Sequence, residues 1–427
     1  MPKDEVYCGL DIGSGRVTAV IGRINEETGG LEILSGRQSI DRDAFAAGVV
    51  KDVEKAGSVI EATITAAEQE AKVERSPLFV GIRGRFVQTY NIHAQVPITS
   101  TDRRITEEDR EKVTDLAVKS LRVQSDREII DVIPQDYVID GQPGIKNPLG
   151  MDGNLLEIDA HAVVVSTSFL RNIEQTLAHM SLSAERISYG IIPTCEMITE
   201  REERKLGCLV IDFNGQSTGV VIYSDGHIKY SQEFVRNDID IGSDMITRDI
   251  SAYYKISWNM AEHIKQQYGV AKPSMVKKDE TIEILTRDGS NRSTSRKELV
   301  QVIASRLENI FADIIIPDLQ HTKLLDLVLQ SGDIVITGGG ANLPGITKAV
   351  ADIFASECGL EIVECRIGTV DGLHSESSVS GPEDILSNHS YATAISLMRY
   401  EAADMRKAYV RTKPRRSLWD RIWKIFD

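Results

Sequence analysis

Two stretches of the 427-residue chain share one pattern: residues 6–22, VYCGLDIGSGRVTAVIG, and residues 207–223, GCLVIDFNGQSTGVVIY. In each stretch an apolar, β-rich run ends in an aspartate, Asp11 or Asp212, and a short polar turn with glycine leads into a second β-rich run. The pattern predicts a β-hairpin with a polar tip that occurs twice. Because alternating helical and strand patterns follow both hairpins, we expect an α/β protein of two similar lobes that face each other.

A third glycine-bearing turn follows another predicted strand, residues 333–337 (DIVIT). It consists of Gly338, Gly339 and Gly340, and a helical pattern begins at Pro344. Residues 133–153 are dense in Pro, Gly, Asn and Asp, which predicts tight turns between strands, and residues 272–296 are the most polar interior stretch. Helices are predicted at residues 57–72, at 106–121 with Thr106 and Asp109 as a capping pair, and at 297–316, ending at Pro317.

The hairpin tips have the chemistry of a phosphate site. Small residues let backbone N–H groups approach phosphate oxygens, and Ser and Thr hydroxyls add donors. An aspartate at the strand end can hold Mg²⁺ through its waters, which makes Asp11 and Asp212 the metal-side candidates. The phosphate-side candidates are Gly13, Ser14, Gly15, Arg16, Gly215, Gln216, Ser217 and Thr218.

One such turn alone is more often structural than functional. The chain has no GxxxxGK[ST] loop, and a strand rather than a helix follows the hairpin glycines, so neither a Walker A loop nor a Rossmann fingerprint is present. The phosphate interpretation is favoured because three glycine-bearing turns follow apolar strands and two of them carry an aspartate in register.

The composition limits the class of protein. Hydrophobic residues make up 41% and charged residues 26%, which excludes collagen-like and wholly disordered chains. The net charge of −15 argues against a nucleic-acid-binding protein. Five cysteines without a CxxC pair favour reduced thiols, and the chain has neither an 18-residue apolar run nor the apolar stretch of a signal peptide. We therefore expect a protein that stays in the cytoplasm.

The C-terminal residues 406–427 are positively charged, in contrast to the acidic rest of the chain. Residues 406–427 carry a net charge of +6, which leaves −21 on the rest. In residues 417–427, SLWDRIWKIFD, a helical projection puts every large apolar side chain on one face, with Arg421 and Lys424 opposite. A helix of about 16 Å is too short to span a bilayer, so the pattern predicts a helix lying in the surface of an anionic membrane. The alternative is a terminal helix docked on its own protein. The predicted membrane-binding residues are Leu418, Trp419, Arg421, Ile422, Trp423, Lys424, Ile425 and Phe426.

The hairpins and the triple-glycine turn resemble the nucleotide site of the actin/hexokinase/heat-shock-chaperone superfamily. More narrowly, the chain is similar to the FtsA family of actin-like bacterial cell-division proteins. The stretches that carry this resemblance are IPQDYVIDGQPGIKNPLG (133–150), GSDMITRDI (242–250), VITGGGANLPGI (335–346) and SYATAISLM (390–398). The resemblance implies an actin-like two-lobed fold with inserted subdomains and a C-terminal amphipathic helix.

Cofactors and domains also follow from the resemblance. It implies ATP and Mg²⁺, with Glu262 and Lys265 flanking the adenosine and Gly338, Gly339 and Gly340 forming the adenosine turn. The implied domains are a first lobe (1–84, 168–196 and 366–405) with an inserted subdomain (85–167), a second-lobe core (197–232 and 304–365) with its insertion (233–303), a linker (406–416) and the amphipathic helix (417–427).

The implied function is an ATP-binding protein that polymerises at the inner face of the cytoplasmic membrane, at the division septum. It would tether the ring of the tubulin-like protein FtsZ and recruit later division proteins. The implied partners are the FtsZ C-terminal peptide, further copies of this chain, other division proteins and anionic membrane lipid. The acidic-apolar FtsZ peptide would dock near Arg292, Arg296 and Lys297.

The sequence departs from the superfamily pattern at the second hairpin, which usually reads DIGGGTTD. Here Asn214, Gln216 and Gly219 replace Gly, Gly and Asp, and the Gln216 side chain would crowd the terminal phosphate. ATP-cleaving members often carry an acidic or amide residue where this chain has Ile192, so we expect ATP binding with at most weak hydrolysis. Two alternatives stay open: a small-molecule kinase of the superfamily, which would need a catalytic aspartate in a substrate cleft, and an actin-like adaptor of another envelope machine, such as pilus assembly.

Overall fold

The structure is a computed structural model that describes residues 5–13, 15–25, 30–236, 239–286, 289–370 and 379–409. The strands are β1 (Glu5–Ile12), β2 (Arg16–Ile24), β3 (Leu31–Ile40), β4 (Phe45–Ala46), β5 (Val49–Val50), β6 (Leu78–Ile82), β7 (Val87–Pro97), β8 (Arg127–Ile139), β9 (Gln142–Ile145), β10 (Leu155–Ser166), β11 (Ala184–Tyr189), β12 (Cys208–Phe213), β13 (Thr218–Ser224), β14 (His227–Glu233), β15 (Val235–Arg236), β16 (Ile239–Asp240), β17 (Thr281–Leu285), β18 (Asn291–Ser295), β19 (Ile334–Thr337), β20 (Cys365–Ile367) and β21 (Val379–Ser380). The α-helices are α1 (Val53–Ala71), α2 (Glu107–Ser120), α3 (Thr167–His179), α4 (Ile191–Ile198), α5 (Arg201–Leu206), α6 (Asp244–Tyr254), α7 (Trp258–Tyr268), α8 (Arg296–Glu308), α9 (Ile316–His321), α10 (Leu325–Ser331), α11 (Ile346–Cys358), α12 (Glu383–Leu386) and α13 (Ala392–Tyr409).

Two sheets repeat one topology. The first runs β11-β6-β1-β2-β3-β21, and the second runs β20-β19-β12-β13-β14. In each, the predicted hairpin is antiparallel, and its first strand also pairs in parallel with a later strand, β6 or β19. One buried apolar core covers the first sheet and one face of the second, and another lies on the opposite face of the second sheet. The predicted α/β architecture of two similar lobes is confirmed.

The contact between β1 and α13 brings α13 to the site. A Cβ atom built on Gly9 would lie 1.9 Å from the backbone oxygen of Ala394, so only glycine lets the helix approach this closely. Because α13 lies against β1, Thr393 in its first turn and Ser390 just before it reach the hairpin end of the sheet. The close approach therefore positions two side chains of the site.

A third sheet, β7-β10-β8-β9, is inserted into the first lobe and carries α2 on one face, with a buried core of its own. The helix begins as the sequence predicts: Thr106 and Asp109 form a capping box. The prediction of tight turns over residues 133–153 is wrong for its first part, because residues 133–139 complete the long strand β8. Pro134 fits there because the register with β10 shifts opposite it, at Ala160.

Three further predictions are corrected by the structure. The helix over residues 297–316 does not stop at Pro317, because a π-helical turn, Asn309–Ile315, precedes the proline and α9 begins around it, where the missing N–H costs no hydrogen bond. Arg366 and Ile367, predicted for the first lobe, lie in β20 of the second sheet. The backbone of α13 is helical to Tyr409, which includes residues 407–409 of the predicted linker. Among the described helices, none is long and apolar enough to cross a bilayer.

A buried histidine joins the inserted sheet to the second lobe. His161 on β10 lies 2.7 Å from Asn91 Oδ1 through Nδ1 and 2.9 Å from Ser231 Oγ through Nε2. Thr89 and Asn91 also donate hydrogen bonds to backbone oxygens of β14. Burial lowers the pKa of His161 to about 4. The contact therefore depends on a neutral imidazole.

We expect His161→Gln to reduce the loss of stability in acid. Between about pH 6.5 and pH 4 this histidine takes up a proton in the unfolded chain and stays neutral in the folded chain. The free energy of unfolding therefore falls by about 3 kcal/mol as the pH is lowered through this range. Urea unfolding at about pH 7 and pH 4 measures the difference. His93→Gln, at a half-exposed histidine of the same sheet, is the control. An unchanged acid response in His161→Gln would contradict the expectation.

Candidate functional site

The two hairpin tips are closed by equivalent backbone hydrogen bonds. The N–H of Gly13 donates to the carbonyl of Arg16 at 2.9 Å, and the N–H of Asn214 donates to the carbonyl of Ser217 at 2.9 Å. Gly15 has a φ of +78°, which a residue with a side chain rarely adopts. The structure thus brings the two predicted tips together as equivalent turns, one from each lobe; Ser14 lies outside the described residues.

A buried arginine joins the two hairpin aspartates. Arg83, just after β6, donates from Nη2 to Asp11 Oδ1 at 3.0 Å and from Nη1 to Asp212 Oδ2 at 2.8 Å. It also donates to Thr393 Oγ1 at 2.8 Å, and only 3% of its side chain is exposed. Burial raises the pKa of Asp11, the Arg83 guanidinium opposes this rise, and Asp212 adds to it. The guanidinium neutralises charge that would otherwise be isolated at the base of the cleft.

This arrangement does not fit the predicted Mg²⁺ site. The Asp11 and Asp212 oxygens that face each other across the cleft already accept from a guanidinium, whereas Mg²⁺ needs such oxygens for itself or its water shell. Within the described parts of the chain, no group of three or more His, Cys, Asp or Glu side chains could hold a metal ion. Asp11 and Asp212 are therefore brought together as predicted, but an arginine and not a metal ion lies between them.

Glu233 supplies a carboxylate where the second hairpin lacks one. It lies at the end of β14 and pairs with Gly219, the residue that replaces the superfamily aspartate. A Cβ atom on residue 219 would lie 3.2 Å from Glu233 Oε1, so the glutamate fills the space next to the missing side chain. Burial raises the pKa of Glu233 to about 7, although the nearby Arg83 opposes the shift.

The phosphate-side candidates divide into engaged and unengaged groups. Thr218 Oγ1 donates to the carbonyl of Ile241 at 2.8 Å, so this hydroxyl serves the second lobe itself. The Ser217 hydroxyl is buried and has no hydrogen-bond partner among the described residues. A buried hydroxyl without a partner is costly, and a phosphate oxygen would satisfy it. The Ser217 hydroxyl therefore fits a phosphate, whereas the N–H groups of Gly13 and Gly15 already donate within the first tip, to the carbonyls of Arg16 and Gly13.

Gln216 and Arg42 close the mouth of the cleft. The amide oxygen of Gln216 accepts from the N–H of Ala47 in the first lobe at 2.8 Å, and its amide nitrogen donates to Asp244 Oδ2 at 3.1 Å. Arg42 forms an ion pair with Asp244, and its guanidinium lies 4.5 Å from the ring centroid of Trp258. The glutamine expected to crowd the phosphate instead connects the lobes.

The triple-glycine turn lies directly against the second hairpin. Gly338 has a φ of +87°, and the N–H of Gly339 donates to Asn214 Oδ1 at 3.4 Å. Gly340 lies in a 3₁₀ turn that follows, Gly339–Asn342. Arg16 reaches the same region and donates to Ser390 Oγ at 3.0 Å. The structure therefore brings the phosphate-side and adenosine-side glycines together.

Glu262 and Lys265 form a pair one turn apart on α7. Lys265 Nζ lies 2.8 Å from Glu262 Oε2 and 2.8 Å from Thr247 Oγ1. Although burial alone would raise it, the pKa of Glu262 is lowered by Lys265 and by hydrogen bonds from Thr247 and Gln266. Both predicted residues are thus held in fixed positions on the insertion of the second lobe.

Comparisons with known proteins identify the family. The model described as "SHS2 domain inserted in FTSA" matches residues 84–164, and the model "Cell division protein FtsA" matches residues 209–396. The cell division protein FtsA of Borreliella burgdorferi is 33% identical over 351 residues, covering 81% of this chain and 82% of that protein. The chain belongs to the FtsA family. Membership supports a role in cell division and favours this function over the kinase and pilus-adaptor alternatives.

Other FtsA proteins and solved structures agree with this membership. FtsA of Pseudomonas aeruginosa is 29% identical over 93% of this chain and 89% of its own length, and FtsA of Escherichia coli K12 is 27% identical over 93% and 90%. A PilM-PilN type IV pilus biogenesis complex matches with a TM-score of 0.59 at 14% identity, covering 92% of this chain and 97% of that one. MreB5 of Spiroplasma citri bound to ADP matches with a TM-score of 0.53 at 15% identity, covering 96% and 100%. The fold is actin-like.

The partner residues predicted from the FtsA resemblance lie on the insertion of the second lobe. Arg292 on β18 is exposed, and its guanidinium lies 6.0 Å from the Tyr254 ring centroid. Lys297 is also exposed, whereas Arg296 donates to the carbonyl of Tyr268 at 3.0 Å and pairs with Glu280 at 3.5 Å. An open groove lined by Tyr253, Gln301, Val302 and other residues of α6 and α8 is close by. The predicted membrane-binding residues of 417–427 lie outside the described residues.

Sequence reasoning about the FtsA pattern missed Arg83, Glu233 and the pair of Arg42 with Asp244. Arg83 had a signal: it follows the apolar run LFVGI, and the carboxyl end of a strand parallel to β1 lies beside Asp11. Glu233 had a similar signal, because it is the last residue of a strand, β14. Arg42 had no such signal, because it lies in a loop of the first lobe.

Proposed function

We propose that the chain is an actin-like ATP-binding protein that polymerises at the inner face of the cytoplasmic membrane at the division septum. It tethers the FtsZ ring to the membrane and recruits later division proteins. The observation that carries the proposal is FtsA family membership over 81% of the chain, at 33% identity. The domain division given above is part of this proposal, with the second lobe extended to Ile367.

ATP binding is supported by the chemistry of the cleft. Arg16, Arg42 and Arg83 lie around the two hairpin tips, and arginine binds phosphate through two parallel N–H donors. Ser217 offers a buried hydroxyl without a hydrogen-bond partner among the described residues, and glycines at both tips let a phosphate approach the backbone closely. A structural neighbour, MreB5, is described as bound to ADP. ATP therefore fits these residues as a ligand.

Slow turnover is part of the same proposal. Hydrolysis needs a group that orients the attacking water, and Ile192 stands where ATP-cleaving members carry an acid or amide. Ile192 is buried in α4, and the Gln216 amide is held by Ala47 and Asp244. We expect turnover below about 1 s⁻¹, the low end of ordinary enzyme rates.

The FtsZ peptide is proposed to bind at the groove between α6 and α8. The groove is lined by Tyr253 and Val302, which offer apolar surface, and also by Glu298 and by Asp249, which pairs with Arg306. Arg292 and Lys297 are exposed near it and would pair with peptide carboxylates. We expect the double variant Arg292→Glu/Lys297→Glu to weaken peptide binding about tenfold, because reversing two exposed ion pairs costs roughly 1–2 kcal/mol. Calorimetry with the peptide measures this.

A matched double charge reversal elsewhere controls for nonspecific electrostatics. Lys51 and Lys119 are exposed and lie away from the groove, and Lys51→Glu/Lys119→Glu should leave peptide affinity unchanged. Equal weakening by this control would mean that only the net charge matters, which contradicts a site at this groove.

Co-sedimentation with anionic liposomes tests the whole proposal. The full chain with ATP should pellet with liposomes and carry the FtsZ peptide with it, because several tails on one polymer bind by avidity where one tail binds reversibly. Removing residues 417–427 should abolish pelleting with liposomes and leave ATP binding intact. Pelleting that depends on neither ATP nor the tail would refute the polymer and the anchor.

A further inference from the structure

We propose that Arg83 is the resident cation of the nucleotide site, so that ATP binding by this chain does not depend on Mg²⁺. The guanidinium takes the position between Asp11 and Asp212 that a divalent cation would need. The inference rests on the proposed ATP binding and goes further, because it assigns the position of the metal cation to a side chain.

Arg83 is held in one position. Two carboxylates and the Thr393 hydroxyl accept from it, and Thr194 Oγ1 in turn donates to Thr393 Oγ1 at 3.1 Å. These partners come from both lobes and from α13. Since the side chain is almost fully buried, a rotation away from the aspartates would leave several polar groups without partners.

A magnesium ion and this guanidinium exclude each other. Mg²⁺ keeps an octahedral shell of oxygens at about 2.1 Å and gives up its waters reluctantly. The facing oxygens of Asp11 and Asp212 are within hydrogen-bond distance of the two Nη atoms, which leaves no space between them for a hydrated ion. An arginine cannot lose its proton to make way for a metal.

The cleft also provides donors for an anion without a metal. Arg83 Nε and Ser217 Oγ are both buried without a hydrogen-bond partner among the described residues. Arg16 lies beside the triple-glycine turn, with Nη1 4.0 Å from a Cβ atom built on Gly339, and Arg42 lies at the mouth. Asp11 and Asp212 offset the charge of Arg83, and Asp244 offsets that of Arg42, so the groups that remain for the phosphates are Arg16 and the unpaired donors Arg83 Nε and Ser217 Oγ.

The first measurement is ATP affinity of the unmodified full chain, by calorimetry, in excess MgCl₂ and in excess EDTA. We expect the two dissociation constants to agree within about threefold. Binding that is lost in EDTA overturns the inference. Absence of binding in both conditions would instead count against the proposed ATP binding, so the two failures are distinguishable.

The second measurement uses Mg²⁺ alone, without nucleotide. In Arg83→Ser the two aspartates lose their cation, and we expect MgCl₂ to raise the melting temperature of this variant and leave that of the unmodified chain unchanged. Its ATP binding should become dependent on Mg²⁺ by more than about tenfold. Arg83→Lys, which keeps the charge, provides a second variant if Arg83→Ser does not fold, and it should behave like the unmodified chain.

Arg23→Ser is the matched control, because it removes an arginine of the same lobe whose side chain is 39% exposed and lies away from both aspartates. It should change neither the Mg²⁺ response nor ATP affinity. A rise in the melting temperature of the unmodified chain with MgCl₂ equal to that of Arg83→Ser would overturn the inference, because a cation would then bind with Arg83 in place.

Discussion

Gly338→Ala is expected to destabilise the second lobe strongly and to abolish nucleotide binding. The residue has a φ of +87°, which costs a residue with a side chain about 1–2 kcal/mol. A Cβ atom there would lie 2.5 Å from Asp212 Oδ1 and 2.7 Å from the backbone oxygen of Phe213. Neither neighbour can move, because Asp212 is held by Arg83 and Phe213 lies in the central strand of the sheet. Overpacking of this kind costs a further 1–3 kcal/mol, roughly.

The total of about 2–5 kcal/mol is a large part of the 5–15 kcal/mol that stabilises a typical domain. Urea unfolding followed by circular dichroism measures the loss, and calorimetry measures ATP binding. A variant with unchanged stability would contradict the expected strain and the assignment of Gly338 to a fixed turn.

Gly339→Ala is the matched control one residue along. Its Cβ atom would meet nothing closer than Ser390 Oγ at 3.4 Å, so the fold should tolerate it. The added methyl group would nevertheless lie on the face of the turn proposed to contact the adenosine. We expect stability close to that of the unmodified chain with weaker ATP binding. Equal destabilisation of both variants would mean that the whole turn tolerates no added methyl group, and not Gly338 in particular.

The hairpins could be predicted from sequence because their signal is local. An apolar run, an aspartate, a glycine-bearing turn and a second apolar run specify two antiparallel strands, and the pairing of Asp11 with Thr18 and of Asp212 with Gly219 follows from the turn between them. The duplicated topology followed from the same repeat. The cap of α2 was predictable for the same reason, because Thr106 and Asp109 are three residues apart.

The cation at the base of the cleft could not be predicted in this way. Arg83 meets Asp11 across 72 positions, Asp212 across 129 and Thr393 across 310, so the contact exists only after both lobes have folded and met. A divalent metal was expected because an aspartate at a strand end can hold Mg²⁺ through its waters. In the structure the two carboxylates have a guanidinium between them, and the sequence alone did not indicate it.

The two lobes are therefore connected by polar contacts at two places in the cleft. Arg83 joins them at the base of the cleft, and Gln216 with Arg42 joins them at the mouth. In the proposed ATP-bound state a nucleotide between the hairpins would lie among these contacts, so we expect its binding to change the relative position of the lobes.

Trp419→Glu/Trp423→Glu is expected to reduce liposome co-sedimentation to the level of the chain that lacks residues 417–427. The two tryptophans are four residues apart, so they lie on the same side of the predicted helix. Six apolar side chains, half-buried in the membrane surface, contribute on the order of 5–9 kcal/mol, and ordering the helix costs a comparable amount. Losing about a third of the apolar side chains and adding two negative charges makes each tail unfavourable, and avidity cannot restore binding when every tail of the polymer is repelled.

The same variant separates the membrane helix from the alternative of a helix docked on its own protein. If the tail lies in the membrane, the free energy of unfolding without liposomes should be unchanged, and so should ATP and FtsZ-peptide binding. If it docks on the body, the buried tryptophans would stabilise the fold, and the variant would lower the melting temperature. Arg421→Lys keeps the charge of the polar face and should pellet like the unmodified chain. Full pelleting of the double variant would contradict the membrane helix, because no other stretch of the sequence joins an apolar face to excess positive charge in this way.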